Sequence, residues 1–97
     1  MKYSFHPEAK RELFEAVSYY EECKPGLGLE FAREVYLTIQ RITHFPGAWS
    51  NLSRNTRRCL TNRFPFGIIY QIVEDKALII ALMQLNRKPG YWKKRLK

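Results

Sequence analysis

The sequence contains no apolar segment long enough to cross a membrane or to act as a secretion signal. Its longest uninterrupted apolar run, Ala77–Met83, is the length of a strand, whereas a spanning helix needs about 20 apolar residues. The first ten residues are polar and charged, with no apolar stretch of signal-peptide length. We therefore expect a cytoplasmic protein that has no membrane partner.

Residues that bind metals or form disulfides are few and widely spaced. Two cysteines, Cys23 and Cys59, make no disulfide framework, and we expect both to be reduced thiols. The two histidines, His6 and His44, lack partner cysteines or carboxylates at the spacing of a metal site. Residues 25–28 lack the glycine spacing and the preceding strand of a nucleotide-binding loop. We therefore expect no metal and no other cofactor.

Acidic residues are almost absent from the second half of the chain. Residues 1–50 carry six Lys or Arg and seven Glu, a net charge of −1, whereas residues 51–97 carry eleven Lys or Arg and two acidic residues, a net charge of +9. This asymmetry favours an anionic partner, which can be nucleic acid, an acidic protein or anionic lipid. A basic surface that serves only solubility is the remaining alternative.

The hydrophobic pattern of the first half predicts a strand followed by two helices in one domain, residues 1–97. Lys2–Phe5 alternates as a strand does, and Pro7 suits the first turn of a helix that runs to about Glu22. A Pro/Gly turn at residues 24–28 precedes the second helix, which ends at residues 45–47. The four glutamates expected on the solvated face of the first helix are Glu12, Glu15, Glu21 and Glu22.

The second half changes to the period of strands. A polar loop over residues 47–56 precedes three predicted strands at Arg57–Thr61, Phe64–Val73 and Ala77–Leu85, with a tight turn at residues 74–76. The last strand is apolar almost throughout, which predicts that it is central or covered on both faces. The expected architecture is α+β with the order βααβββ, a helical hairpin packed on one face of a small antiparallel sheet.

Basic and aromatic residues of the second half are the candidates for binding and catalysis. Arginine donates a planar fork of hydrogen bonds to phosphate, and aromatic rings stack on bases. RNA cleavage through the 2′-OH needs a base, an acid and cations, so Arg87 and Tyr91 can border one site with Arg58 or Arg63 from a neighbouring strand. The residues expected to bind the target are Arg57, Arg63, Lys88, Trp92, Lys93 and Lys94, with Arg54 in the loop before them.

Several short motifs, taken in order, resemble the RelE/ParE superfamily, the toxins of bacterial type II toxin–antitoxin modules. They cover nearly the whole chain. In the first half they are Phe5-x-Pro7-Glu8-Ala9, Tyr19-Tyr20-Glu21-Glu22, Pro25-Gly26-Leu27-Gly28, Phe31 and Glu34-Val35. In the second half they are Arg57-Arg58, Phe64-Pro65-Phe66-Gly67-Ile68-Ile69-Tyr70 and Arg87-Lys88-Pro89-Gly90-Tyr91-Trp92. The resemblance implies the same fold as the hydrophobic pattern.

The resemblance implies one of two activities. The RelE-like branch is a metal-independent endoribonuclease that cleaves messenger RNA on the ribosome with basic residues and a C-terminal tyrosine. Arg58, Arg87 and Tyr91 match that pattern, the last with altered spacing. Gly67 stands where that branch has an important arginine, and Gln84 and Asn86 replace its usual His and Arg. These departures favour the ParE-like branch, which inhibits DNA gyrase and is not an enzyme of that kind.

We therefore predict the toxin component of a type II toxin–antitoxin module. The resemblance implies a cognate antitoxin as partner, and we expect an acidic, partly disordered segment of it to bind the basic half of the chain. The expected target is DNA gyrase, or the ribosome and its messenger RNA in the RelE-like alternative. A non-toxic RNA- or protein-binding module is a second alternative.

Overall fold

Two helices and five strands build the fold, which the computed structural model describes for residues 1–53 and 55–97. The elements are β1 (Lys2–Phe5), α1 (Pro7–Cys23), α2 (Leu27–His44), β2 (Ser50–Ser53), β3 (Thr56–Leu60), β4 (Phe66–Val73) and β5 (Lys76–Gln84), followed by a 3₁₀ turn (Lys93–Arg95). The predicted α+β class, with a helical hairpin packed on a sheet, is confirmed. None of the helices in this described part is long and apolar enough to cross a membrane.

The helical hairpin closes through a short turn that glycine makes possible. Gly26 adopts φ +90°, a conformation that favours glycine. Glu21 accepts hydrogen bonds from the Gly26 and Gly28 amides, at 2.9 and 3.1 Å for the shorter contacts. A Cβ on Gly28 would lie 2.6 Å from the Val17 carbonyl oxygen. The hairpin therefore requires a residue without a side chain at position 28, where the two helices approach each other.

The main core lies between the hairpin and one face of the sheet. The helices contribute buried residues at the predicted spacing, and the aromatic rings of Tyr20, Phe31, Phe64 and Phe66 contact one another with centroids 4.9–6.3 Å apart. The buried residues of this core are Ala9, Phe31, Val35, Ile39, Ile42, Cys59, Phe64, Phe66, Ile68, Tyr70, Ala77, Ile79 and Leu82. Packing against the sheet therefore fixes which face of each helix is buried.

The sheet order is β1-β5-β4-β3-β2, and its strands are not all antiparallel. The β4–β5 hairpin forms as predicted, with Glu74 and Asp75 at φ 50° and 63°, as in a two-residue turn of the I′ type. However, β1 pairs with β5 in parallel, from Lys2↔Lys76 to Phe5↔Ile79. The expectation of an antiparallel sheet was wrong for this pair, because a four-residue strand followed by two helices leaves either direction open.

A fifth strand, β2, lies inside the segment that was predicted to be a loop. All four of its residues, Ser50–Ser53, are exposed, and three of them are polar residues of low intrinsic strand propensity. Pairing with β3 makes them a strand, at an edge with a register shift between Asn51 and Ser53. Asn55 follows at φ 64°. Arg54 lies outside the described residues, so its predicted place in a basic loop stays a prediction.

The C-terminal tail covers the second face of the sheet. Trp92 is 5% exposed and lies in a second cluster with Ile69, Ile80 and Met83, against which Tyr91 and Leu96 also pack. Lys97 completes the cover, since its amide donates to Gln71 Oε1 at 2.9 Å. The prediction that the last strand is central or covered on both faces is confirmed, because the helical hairpin packs on one face of β5 and the tail on the other.

Candidate functional site

The site forms where the tail turns back over the end of β5. Arg87 follows the last strand, and the chain turns at Gly90, whose φ is +90°. The Arg87 guanidinium carbon lies 3.5 Å from the Tyr91 ring centroid, and that of Arg95 lies 5.1 Å from it. Cation–π contacts of this kind stabilise a guanidinium beside an aromatic ring. The structure thus brings together two of the three predicted catalytic residues, Arg87 and Tyr91.

Glu12 of α1 lies at the centre of this cluster, buried rather than on the solvated face that was expected. Its two carboxylate oxygens accept from Arg95 Nη1 and Nη2 at 2.9 and 3.2 Å, and Arg87 Nη1 lies 3.6 Å away. The Leu82 amide donates to the same carboxylate at 3.1 Å. That expectation was wrong for Glu12, because a buried carboxylate is tolerated where donors surround it.

Glu12 and Arg95 are the functional candidates that sequence reasoning missed. Position 12 lies three residues after Ala9 and four before Ala16, which places it within the apolar stripe of α1. A glutamate in such a stripe is a weak signal for a buried partner. Arg95 carried no signal beyond its membership in the basic tail, because 83 residues separate it from Glu12.

The environment of Tyr91 determines what its hydroxyl can do. The hydroxyl oxygen is buried beside the Glu12 carboxylate. Burial, and after it the neighbouring Glu12 carboxylate, raise the pKa of Tyr91 above its usual range. The raised pKa makes loss of the phenol proton harder than in an exposed tyrosine.

Arg58, the third predicted catalytic residue, lies on β3 with β4 between it and β5. Its stem crosses Gly67: a Cβ at that glycine would lie 3.0 Å from Arg58 Cδ and 3.1 Å from Cγ. Arg58 Nε is buried and has no hydrogen-bond partner in the described part of the chain. The space that a side chain would need at position 67 is thus occupied by the Arg58 stem.

The six predicted target-binding residues do not form one surface. Arg57 donates to the Trp49 carbonyl at 2.9 Å, and Arg63 pairs with Glu30 of α2 at 2.7 Å. The Trp92 ring is buried in the second cluster, so it is not available to stack on a base. The three that remain exposed and near one another in the chain are Lys88, Lys93 and Lys94.

A groove of about 440 Å³ opens between α1 and the end of β5, beside the cluster. Aromatic and aliphatic side chains form most of one wall, and Arg87 lies at the rim. The lining residues are Glu12, Glu15, Ala16, Tyr19, Tyr20, Phe66, Leu82, Gln84 and Arg87. Polar and apolar groups thus contribute about equally to a concave surface, the kind of place where proteins bind ligands or partners.

Comparison with known proteins identifies relatives of this chain. A family model, the ParE toxin of the type II toxin–antitoxin system parDE, matches residues 3–88. A solved structure, the chromosomal ParDE toxin–antitoxin system from P. aeruginosa, superposes with a TM-score of 0.77 at 14% identity, over 89% of this chain and 97% of that chain. At this identity the structural likeness shows the fold alone. No curated protein matches the sequence.

Proposed function

This chain belongs to the ParE toxin family of type II toxin–antitoxin systems, and we propose that it arrests growth by inhibiting DNA gyrase. It is the toxin component of such a system, and an antitoxin is its partner. The family match ends at residue 88. Tyr91 and the rest of the tail lie beyond that match, and their contacts in the structure indicate their roles.

The state of Tyr91 is the observation that most favours gyrase inhibition over RNA cleavage. An acid–base residue must come within hydrogen-bond reach of the proton that it transfers. The Tyr91 hydroxyl is buried, and its ring is held by two guanidiniums. These contacts suit a residue that positions Arg87 at the surface rather than one that exchanges protons with a substrate.

The position of Arg58 supports the same proposal. A nuclease that stabilises the charge on phosphate needs several cations directed at one point. The Arg58 stem lies over Gly67, on a strand that β4 separates from β5. Gly67 itself supplies no cation, so Arg87 carries the exposed positive charge of the site. This arrangement fits contact with a protein target better than cleavage of RNA.

The antitoxin partner is expected to bring negative charge to this chain. Lys88, Lys93 and Lys94 are exposed on the tail, and no ion pair between described residues uses them. We infer that an acidic segment of the antitoxin, disordered when free, binds this basic region and covers Arg87. Binding there would block the toxin at the surface that meets its target.

Gyrase supercoiling and ribosome-bound messenger RNA should be assayed with the same purified chain. We expect inhibition of supercoiling, with the RNA left intact. Arg87→Ala should weaken inhibition about tenfold or more, since an exposed arginine that anchors an interface often contributes that much. Arg33→Ala removes an equal charge from the exposed face of α2 and serves as the matched control.

Three results would contradict the proposal. Ribosome-dependent cuts without an effect on gyrase would establish the endoribonuclease alternative. Full inhibition by Arg87→Ala would show that the site is misplaced. Normal growth at a high level of folded chain, with binding to RNA that weakens steeply as salt rises, would establish a non-toxic binding module.

A further inference from the structure

The middle of the chain contains arginine but no acidic residue and no lysine. Residues 35–73 have no Asp, Glu or Lys. Their five arginines are Arg41, Arg54, Arg57, Arg58 and Arg63. Arg63 pairs with Glu30 at 2.7 Å, and no ion pair between described residues uses the other three that the structure describes. Because arginine presents a planar fork of donors that matches phosphate, this segment is a candidate for binding an anion.

Two cavities lie on either side of Trp49, at the β2 edge of the sheet. The first, of about 420 Å³, opens between the end of α2 and β3, and Arg41 and Trp49 line it. The second, of about 530 Å³, lies beside β2 and is lined by Arg57 and two asparagines, Asn51 and Asn55. Among the described residues, no carboxylate lines either cavity. Each cavity therefore combines one arginine with neutral polar groups.

The first cavity contains donors that have few partners within the protein. Trp49 Nε1 is buried and has no hydrogen-bond partner in the described part of the chain, although buried donors are nearly always paired. Arg41 donates to Thr38 Oγ1 at 3.1 Å and to the Leu60 carbonyl at 3.5 Å, both through Nη2. Arg58 also borders the cavity, but its stem lies over Gly67. Arg41 and the Trp49 indole are thus the donors that an anion would meet here.

The second cavity is held in place by a contact with the same tryptophan. Arg57 Nη1 donates to the Trp49 carbonyl at 2.9 Å, which leaves the charge of the guanidinium without a carboxylate partner. Ser50 and Asn62 add neutral polar groups to the first cavity, as Asn51 and Asn55 do to the second. Protein contacts with the DNA backbone use this set of groups, namely Arg, Ser and Asn side chains and backbone amides.

The strand β2 adds backbone donors to this surface. It lies at the end of the sheet order β1-β5-β4-β3-β2, so no strand of the described chain covers its outer side. Its four residues are exposed, and an edge strand presents unpaired N–H groups. Three strand spacings separate β2 from β5, which is about 14 Å at the usual spacing of strands. This edge is therefore a different surface from the site around Arg87.

We propose that the β2–β3 edge binds the phosphate backbone of duplex DNA, with one phosphate at Arg41 and another at Arg57. The choice of duplex DNA over RNA rests on the gyrase target of the proposed function, because gyrase acts on duplex DNA. The toxin then contacts the DNA as well as the enzyme that holds it. Charge complementarity supports this occupant, since the arginines of both cavities lack an acidic neighbour in the lining.

The salt dependence of DNA binding tests the two phosphate contacts. Affinity of the purified chain for a short labelled DNA duplex should be measured by fluorescence anisotropy over a range of salt concentrations. Each phosphate contact contributes about 0.9 to the slope of log K against log salt concentration. Arg41→Gln and Arg57→Gln should therefore each reduce that slope by about 0.9. Arg33→Gln removes an equal charge from the exposed face of α2, outside both cavities, and should leave the slope unchanged. Equal slopes for all three variants would overturn the proposal.

Nuclear magnetic resonance of the unchanged chain gives a second test that needs no substitution. The chain has two tryptophans, and each gives one indole N–H resonance. Added duplex DNA should shift the resonance of Trp49 and leave that of Trp92, which is buried under the tail. A shift of Trp92 alone, or of neither, would overturn the proposal.

Competing ligands separate the proposed occupant from the others. Inorganic phosphate that shifts Trp49 as strongly as DNA, at the same concentration of phosphate groups, would show a small-anion site and overturn the assignment to DNA. Tighter binding of single-stranded RNA than of duplex DNA would also overturn it. Inhibition of gyrase by a chain that binds no DNA would refute this inference alone. DNA binding at Trp49 without inhibition of gyrase would refute only the proposed target.

Discussion

Removing one partner of the buried Glu12–Arg95 ion pair should cost more stability than removing one partner of any exposed ion pair of the described chain. The side chains of Arg95 and Glu12 are only 10% and 7% exposed, and two N–O contacts of 2.9 and 3.2 Å join them. Arg95→Met keeps the apolar stem and removes the guanidinium. It leaves a buried carboxylate whose remaining partners are the Leu82 amide and Arg87, which lies 3.6 Å away.

The expected loss follows from what the remaining groups can do for Glu12. Removing one member of a buried pair costs about 3–5 kcal/mol. Arg87 is half exposed and can move toward the carboxylate, which places the expected cost of Arg95→Met near the lower end, about 3 kcal/mol. Arg11 pairs with Glu8 and Glu15 at the surface, so Arg11→Met should cost less than about 1 kcal/mol.

Urea unfolding followed by tryptophan fluorescence measures these differences, because Trp92 is buried in the tail cluster. A double-mutant cycle of Arg95→Met with Glu12→Gln should give a coupling energy of about 2 kcal/mol. High salt should screen the Arg11 pairs and leave the Arg95 pair almost unchanged. A cost for Arg95→Met no larger than that for Arg11→Met, or a coupling energy near zero, would refute the reasoning.

Two further predictions concern the hairpin and the core. Gly28→Ala should lower the free energy of unfolding in urea by about 1–3 kcal/mol, because its Cβ would lie 2.6 Å from the Val17 carbonyl oxygen. Gly47→Ala is the control and should be neutral, since no atom lies within 4 Å of the Cβ that it adds. Equal losses for the two variants would contradict this account. Burial raises the pKa of Tyr70 to about 12, so its neutral form favours the folded state, and that stability is present below pH 10 and lost as the pH rises toward 12. Tyr70→Phe should flatten this alkaline loss in stability measured against pH, and an unchanged slope would contradict it.

Much of the fold could be predicted because its elements carry strong local patterns. Helical spacing from Phe31 to Ile42, the turn at residues 24–28 and the apolar run of β5 each indicate one structure. All three are present, with the turn shortened to residues 24–26 because α2 begins at Leu27. The direction of β1 and the presence of β2 could not be predicted in this way. The residues of a short strand do not indicate whether it pairs in parallel or antiparallel. The residues of β2 are mostly polar and form a strand only because β3 lies beside them.

The sequence by itself determined the class of this protein, the two-helix hairpin, the concentration of charge in the second half and the resemblance to a toxin family. These features depend on residue type and on spacing along the chain. The tertiary structure decided which charges are free to act. Only folding brings Arg95 to Glu12 across 83 residues, buries Trp92 and places the Arg58 stem over Gly67. The physical reason is that the burial of a charge depends on groups that are distant in sequence. The basic tail therefore contains one buried arginine, Arg95, one exposed arginine, Arg87, and a lysine-rich surface.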